Sequence, residues 1–124
     1  MGPQITYGDL DRRTDALARV LHERGVMPGD RVALLLPNSP QAVIAQFGAW
    51  KAGAIVAPLN PLYTEHELER ALNECGAQTI VVLTPFYAKV KRIQQRTAVR
   101  TVIASDGLHP RQRRGPRVRD DGRR

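Results

Sequence analysis

The segment from Gly48 to Gly53 has the glycine spacing of a phosphate-binding loop. Such a loop needs a lysine and then a serine or threonine after its second glycine, but Ala54 and Ile55 occupy those positions. The two glycines also fall within and after a predicted helix, whereas a phosphate loop follows a strand and opens a helix with free N–H groups. The segment therefore predicts helix packing and a helix end rather than nucleotide binding.

Metal binding and nucleophilic catalysis also lack the required spacing. His66-Glu67 begins like a zinc-protease helix, yet Arg70 stands where the second histidine would be needed. The other histidine, serine and cysteine side chains show no pairing for acid–base or nucleophilic chemistry, and we interpret them as solvated, capping or packed groups. They are His22, His109, Ser39, Ser105 and Cys75.

Four glutamates fall in one predicted helix, where a cap and the positive N-terminal dipole account for most of them. They are Glu65, Glu67, Glu69 and Glu74. Trp50 has apolar neighbours, which favours a core position over a base-stacking platform. We therefore predict no catalytic, cofactor-binding or metal-binding residue in this chain.

Hydrophobic spacing places these residues on alternating strands and helices. Residues 5–7 predict a short strand, and a first helix follows with an inner face spaced by three and four residues. That face comprises Tyr7, Leu10, Thr14, Leu17 and Leu21. Asp15, Arg19 and Glu23 lie on its other side and are interpreted as solvated. Gly25 would end the helix, and residues 31–36 predict a strand that is covered on both faces.

Cap residues set the next two helices. Ser39-Pro40 predicts the start of a second helix that ends at Gly53, before a strand at residues 55–57. Its apolar surface comprises Val43, Ile44, Phe47 and Trp50. Thr64 and Glu67 have capping-box spacing and start a third helix that Gly76 ends. Its inner face comprises Leu68, Ala71, Leu72 and Cys75.

The alternation of strand and helix continues through residues 79–104. Residues 79–83 predict a buried strand, and Thr84-Pro85 predicts a capped fourth helix with Tyr87, Val90 and Ile93 inward. Residues 100–104 predict a last strand. This alternation predicts an α/β fold with an open parallel sheet and flanking helices.

The composition limits the class of protein. The 124 residues suffice for one domain, and 42% hydrophobic residues are ordinary for a globular chain. The longest apolar run has about five residues, far from the ~20 that span a bilayer, and no apolar block follows Met1. With a single cysteine, which fits a reducing compartment, we expect a cytoplasmic protein without a transmembrane segment.

The net charge of +7 is concentrated at one end. Residues 1–106 carry +2 and residues 107–124 carry +5. The second segment is rich in Arg, Gly and Pro, with two aliphatic residues, and cannot bury enough apolar surface to order itself. We predict that residues 107–124 are a disordered basic tail. An alternative function is a small basic module that uses this tail to contact nucleic acid phosphates.

Several segments together resemble the adenylate-forming acyl-CoA synthetase superfamily. Residues 5–10, ITYGDL, resemble its first core motif, with Asp9 where Glu is commoner. Residues 50–59, WKAGAIVAPL, resemble the second core motif of the family. Residues 29–33 and 37–39, between the two motifs, match the family's usual sequence at its strand and helix entry. Residues 60–64, NPLYT, most resemble the long- and medium-chain fatty-acyl-CoA ligase branch. The resemblance covers about residues 4–106, which it identifies as part of the N-terminal subdomain of an AMP-dependent ligase.

The resemblance implies a function for full-length members. They activate a carboxylate with ATP and magnesium to an acyl-adenylate and pyrophosphate, and then form a thioester with coenzyme A. The family's phosphate loop, its Tyr-Gly-x-Thr-Glu segment, its ribose-binding Asp and its C-terminal lysine have no counterpart in these residues. We therefore expect a truncated fragment, inactive alone, that binds no cofactor itself.

Two further expectations concern partners and origin. The partner would be the remainder of the ligase, or a second copy bound through an exposed interface, with fatty acid bound only in the full-length enzyme. The change to Arg-Gly-Pro composition after Asp106 suggests a frameshift or a misplaced gene boundary. A phosphate-loop sequence in the downstream DNA would test that hypothesis.

Overall fold

The computed structural model describes residues 6–105 and 117–120, the last four as backbone. Helices and strands alternate, as the sequence predicts. The helices are α1 Tyr7–Glu23, α2 Pro40–Lys51, α3 Glu65–Cys75 and α4 Tyr87–Ile93. The strands are β1 Arg31–Leu35, β2 Ile55–Leu59, β3 Thr79–Leu83, β4 Thr101–Ser105 and β5 Arg117–Asp120.

The five strands form one sheet in the order β2-β1-β3-β4-β5. The first four are parallel, and Val32 of β1 lies beside Val56 of β2 and Thr79 of β3. β5 pairs antiparallel with β4, with Val118 opposite Ile103. The predicted open parallel sheet is confirmed, and β5 adds one antiparallel strand at its edge.

Hydrophobic clusters fill both faces of the sheet, because alternate strand residues point to opposite faces. Val32, Leu34 and Val81 pack on the face covered by α1 and α2. Ala33, Leu35 and Ile80 pack on the face covered by α3 and α4. β1 is buried on both faces from Val32 to Leu35, as predicted for residues 31–36, whereas Arg31 at its start is exposed.

Local capping fixes the helix ends. The Thr6 hydroxyl accepts the Asp9 N–H at 3.0 Å, and the Ser39 hydroxyl accepts the Ala42 N–H at 3.3 Å. Gly76 ends α3 at φ 67°, in the left-handed region that glycine tolerates. Thr64 caps α3 in the same way, so the predicted starts of α2 and α3 are confirmed.

The prediction of a strand at residues 5–7 is wrong where the structure describes it. Thr6 is the N-cap of α1 and Tyr7 is its first residue. Tyr7 is 92% exposed and does not belong to the inner face, whereas Thr14, Leu17 and Leu21 are buried as predicted. The capping bond of Thr6 favours helix at the position where apolar spacing suggested an extended chain.

The core position predicted for Trp50 is wrong, and of the predicted apolar surface of α2 only Ile44 is buried. The buried residues of α2 are Ile44, Ala45, Gly48 and Ala49. Val43, Phe47 and Trp50 are 43%, 44% and 50% exposed. α1 and α2 approach closely, with Gly48 against Leu17, so the small residues face the interior.

Thr84 does not cap α4. A 3₁₀ turn at Thr84–Phe86 precedes α4, and no side chain caps either element. The Thr84 hydroxyl instead donates to the Ser105 carbonyl oxygen at 2.9 Å, which joins the ends of β3 and β4. The inward positions of Val90 and Ile93 are confirmed.

Four residues of the predicted disordered tail form β5. Backbone groups on the outer edge of β4 can pair with any extended segment, so strand addition does not need a large apolar surface. Residues 106–116 and 121–124 lie outside the described residues, so their predicted disorder and the domain boundary at 106 stay predictions.

Candidate functional site

In open parallel sheets, ligands bind beside the carboxyl ends of two neighbouring strands whose following helices pack on opposite faces of the sheet. Here β1 and β3 are such a pair, because α2 follows β1 on one face and α4 follows β3 on the other. The Ser39 hydroxyl at this edge donates to the Pro37 carbonyl oxygen at 2.9 Å and also caps α2. Thr84 joins β3 to β4. Both hydroxyl groups therefore serve the fold: Ser39 caps a helix, and Thr84 bridges two strand ends.

The glycines with phosphate-loop spacing do not present N–H groups to a ligand. Gly48 lies inside α2 against Leu17, and the Gly53 N–H donates to the Trp50 carbonyl oxygen at 2.9 Å. Gly53 adopts φ 84° directly after the helix. The predicted roles in helix packing and helix termination are therefore confirmed.

The candidate metal and nucleophile residues are dispersed. His22 lies in the last turn of α1, and His66 is exposed on α3. Cys75 is half-buried, and its thiol donates to the Leu72 carbonyl oxygen at 3.5 Å. Within residues 6–105 and the backbone of 117–120 no group of three His, Cys, Asp or Glu residues could hold a metal ion. His109 lies outside the described residues.

The glutamates of α3 act in its cap and in packing against α4. Glu67 accepts the Thr64 N–H at 2.9 Å, while the Thr64 hydroxyl accepts the Glu67 N–H at 3.1 Å. Glu65 pairs with Arg92 at 2.5 Å. In addition, Glu69 pairs with Arg96 at 2.9 Å, and Glu74 lines a shallow depression of about 200 Å³. The two ion pairs join α3 to α4 and to the 3₁₀ turn at Gln94–Arg96 that follows α4.

A cavity of about 410 Å³ opens at the amino ends of the strands, and its lining includes Arg24, Arg31 and Arg100. The Arg31 guanidinium donates to the Cys75 carbonyl oxygen at 3.0 Å and so caps the C-terminus of α3. This cavity lies at the edge opposite to the ligand-binding edge of parallel sheets.

One apolar surface has no covering element among the described residues. We call Val43, Phe47 and Trp50 the α2 strip, because they recur at i, i+4 and i+7 along α2. The Phe47 and Trp50 rings pack edge to face with centroids 5.2 Å apart. Ile55, which is 52% exposed, begins β2, and β2 is the edge strand of the sheet. An exposed apolar strip beside an edge strand is the arrangement of a protein interface.

An ion-pair cluster holds α1 against α2 near the strip. Lys51 Nζ lies 2.7 Å from an oxygen of Asp11 and 2.7 Å from one of Asp15. The hydrogen bond to Asp11, followed by that to Asp15, raises the pKa of Lys51 above its ordinary value. Sequence reasoning placed Asp15 on a solvated face, because the partner lies on another helix. The only sequence signal was an acidic i,i+4 pair on α1.

Among the described helices, none combines the length and the apolar composition that crossing a lipid bilayer requires.

Comparisons with known proteins give one consistent result. The model of the family described as AMP-binding enzyme matches residues 1–121. The long-chain-fatty-acid–CoA ligase of Escherichia coli O157:H7 is 43% identical over 104 residues, which is 83% of this chain and 18% of the relative. The chain thus spans about 18% of the length of the curated relatives it matches.

Solved structures agree with the sequence matches. The long-chain-fatty-acid–CoA ligase FadD1 of Archaeoglobus fulgidus superposes with a TM-score of 0.78 at 31% identity, covering 83% of this chain and 21% of that one. Apo MatB of Rhodopseudomonas palustris superposes with a TM-score of 0.77 at 30% identity, covering 86% and 22%. The described sheet and helices therefore resemble one portion of much longer chains.

Proposed function

This chain belongs to the AMP-binding enzyme family, and from that premise we propose that it supplies the N-terminal subdomain section of a fatty-acyl-CoA ligase and is inactive alone. The observation that carries the proposal is the superposition on a long-chain-fatty-acid–CoA ligase with a TM-score of 0.78 at 31% identity. The sequence identity of 43% to the Escherichia coli ligase supports the same branch. We assign residues 1–106 to this section.

The whole enzyme would activate a fatty acid with ATP and magnesium and then transfer the acyl group to coenzyme A. The described residues do not form an ATP site. Gly48 is packed against Leu17 inside a helix, and the described metal-ligating side chains do not form a cluster. Phosphate recognition needs free N–H groups or cations directed at the charge. We therefore assign ATP, magnesium, coenzyme A and the fatty acid to the remainder of such an enzyme.

The chain's own contribution is structural. Its sheet and two core clusters provide a folded base, and the α2 strip beside β2 offers apolar surface to the remaining subdomains. Burial of that surface would stabilise the complete enzyme by about 25 cal/mol for each Å² removed from water. A cytoplasmic location is part of this proposal and accords with the free thiol of Cys75.

A segment exchange tests the proposal. In the Escherichia coli ligase, the matched 104-residue segment is replaced by the corresponding residues of this chain, and acyl-CoA formation from a long-chain fatty acid is measured. We expect the chimera to make acyl-CoA. A control chimera with Leu17→Asp, a change in the buried α1–α2 core, should be inactive. A folded chimera without activity would contradict the proposal.

A second measurement tests inactivity of the chain alone. The purified chain is incubated with ATP, magnesium, fatty acid and labelled pyrophosphate, with the chimera as positive control. We expect exchange of label into ATP only with the chimera. Exchange catalysed by the isolated chain would contradict the assignment of adenylation to the remainder.

A further inference from the structure

The loop between β2 and α3 exposes a large apolar side chain in an ordered turn. Leu62 is 85% exposed, while its neighbour Tyr63 packs against the cluster that contains Leu68 and Leu72. The loop follows the carboxyl end of β2, the edge strand of the sheet. Leu62 thus projects away from the core at the edge beside which the α2 strip also lies.

Hydrogen bonds fix the backbone on both sides of Leu62. The Leu62 N–H donates to Asn60 Oδ1 at 2.9 Å, and the Tyr63 N–H donates to the Asn60 carbonyl oxygen at 3.0 Å. The Thr64–Glu67 capping box then fixes the start of α3. The turn therefore has little backbone freedom left to lose on binding.

A lysine from α4 completes this arrangement. Lys89 Nζ donates to the Tyr63 carbonyl oxygen at 2.8 Å and to the Pro61 carbonyl oxygen at 3.2 Å, the two carbonyl groups that flank Leu62. The same ammonium lies 5.5 Å from the centroid of the Phe86 ring. Lys89 thus anchors the turn to α4.

We propose that residues 60–64 form a preorganised docking turn that inserts Leu62 into an apolar recess of the remainder of the ligase, with Lys89 as a positioning residue. This inference rests on the proposed function and deepens it. The occupant is the remainder of the polypeptide, because the chain spans 18% of its curated relatives' length. The turn directly follows β2, the edge strand of the sheet.

Thiol labelling of a Leu62→Cys variant tests the docking step. Labelling at position 62 is measured by peptide mass spectrometry in the isolated 124-residue chain and in the active chimera. We expect rapid labelling in the chain and a rate lower by about tenfold or more in the chimera. The control is Met27→Cys, since Met27 is 59% exposed and precedes β1, at the amino ends of the strands, whereas Leu62 follows the carboxyl end of β2. Its labelling rate should not change.

The outcomes separate this inference from the proposed function. A chimera without acyl-CoA formation would contradict the proposed function, whatever the labelling result. An active chimera in which position 62 is labelled as fast as in the isolated chain would overturn the docking turn alone. Labelling in the isolated chain that slows as its concentration rises would assign the site to a second copy and would also overturn the inference.

Amide hydrogen exchange tests the role of Lys89. Lys89→Met keeps most of the apolar stem and removes both hydrogen bonds to the loop. In the isolated chain we expect faster exchange at the Leu62 and Tyr63 amides and unchanged exchange at the buried Leu68 amide. In the chimera the same change should raise labelling at position 62. Unchanged exchange at both loop amides would overturn the positioning role.

Discussion

Gly48 allows α1 and α2 to approach each other. A Cβ atom at this position would lie 2.8 Å from Leu17 Cδ2 and 2.9 Å from Leu17 Cβ. Leu17 is 1% exposed and packed in the cluster between these helices and the sheet. A single methyl group added at position 48 would therefore clash with the Leu17 side chain.

We predict that Gly48→Ala lowers the free energy of unfolding by about 1–3 kcal/mol, because overpacking outweighs the better helix propensity of alanine. The measurement is urea denaturation. Gly8→Ala is the matched control, since its nearest contact would be Arg12 Nη1 at 3.6 Å. That control should leave the free energy of unfolding unchanged or raise it by less than about 1 kcal/mol, since Gly8 lies in the first turn of α1. Equal stability gains for both variants would contradict the close packing at Gly48.

Lys51 gives the stability a pH dependence of defined sign. Folding raises its pKa through Asp11 and then Asp15. The resulting contribution is complete below the ordinary value of 10.5 and is lost as the pH rises through the higher pKa of the folded state. We predict that Lys51→Met lowers Tm at pH 8 and that this deficit narrows above pH 10.5.

A double-mutant cycle supplies the control for Lys51. In the Asp11→Asn, Asp15→Asn background the pairing partners are neutral, so Lys51→Met should change Tm little at either pH. A deficit that stays constant across the pH range would show that the lysine contributes through its aliphatic stem instead.

At the scale of elements, the start of α3 depends on two reciprocal bonds between Thr64 and Glu67. We predict that Thr64→Ala costs about 1 kcal/mol of unfolding free energy, as other cap removals do. Glu67→Ala should cost less, because it leaves the hydroxyl bond to the backbone intact. Because the two residues form one unit, the double variant should lose less than the two single losses together, as measured by urea denaturation. Full additivity would contradict the cooperative box.

Element identities were predictable because their signals are local. Ser39-Pro40, Thr64 with Glu67, and the terminating Gly53 and Gly76 act within a few residues of the chain, and all four act as predicted. The extended assignment of Tyr7 failed because the Thr6 side chain caps a helix that begins at Tyr7. β5 was missed because the open edge of β4 supplies its partners.

At the scale of the whole molecule, the α2 strip leaves apolar area exposed. We predict that the isolated chain self-associates with rising concentration and that Phe47→Ser with Trp50→Ser makes it monomeric, as measured by sedimentation. The unfolding midpoint should change little, because both rings are about half exposed. Tyr7→Ser, at the 92% exposed start of α1, is the control and should leave association unchanged. A monomeric wild-type chain would contradict this use of the strip.

The sequence by itself determined the alternation of helices and strands from α1 to β4, the starts of α2 and α3, the two-sided burial of β1 and the family. It could not determine which side of α2 is buried, because apolar spacing alone cannot show that α1 packs on the small side chains around Gly48. Only the tertiary structure brought Lys51 to Asp11 and Lys89 to Tyr63, pairs 40 and 26 residues apart. Such contacts depend on how helices pack, and local periodicity carries no information about a neighbour that distant in the chain.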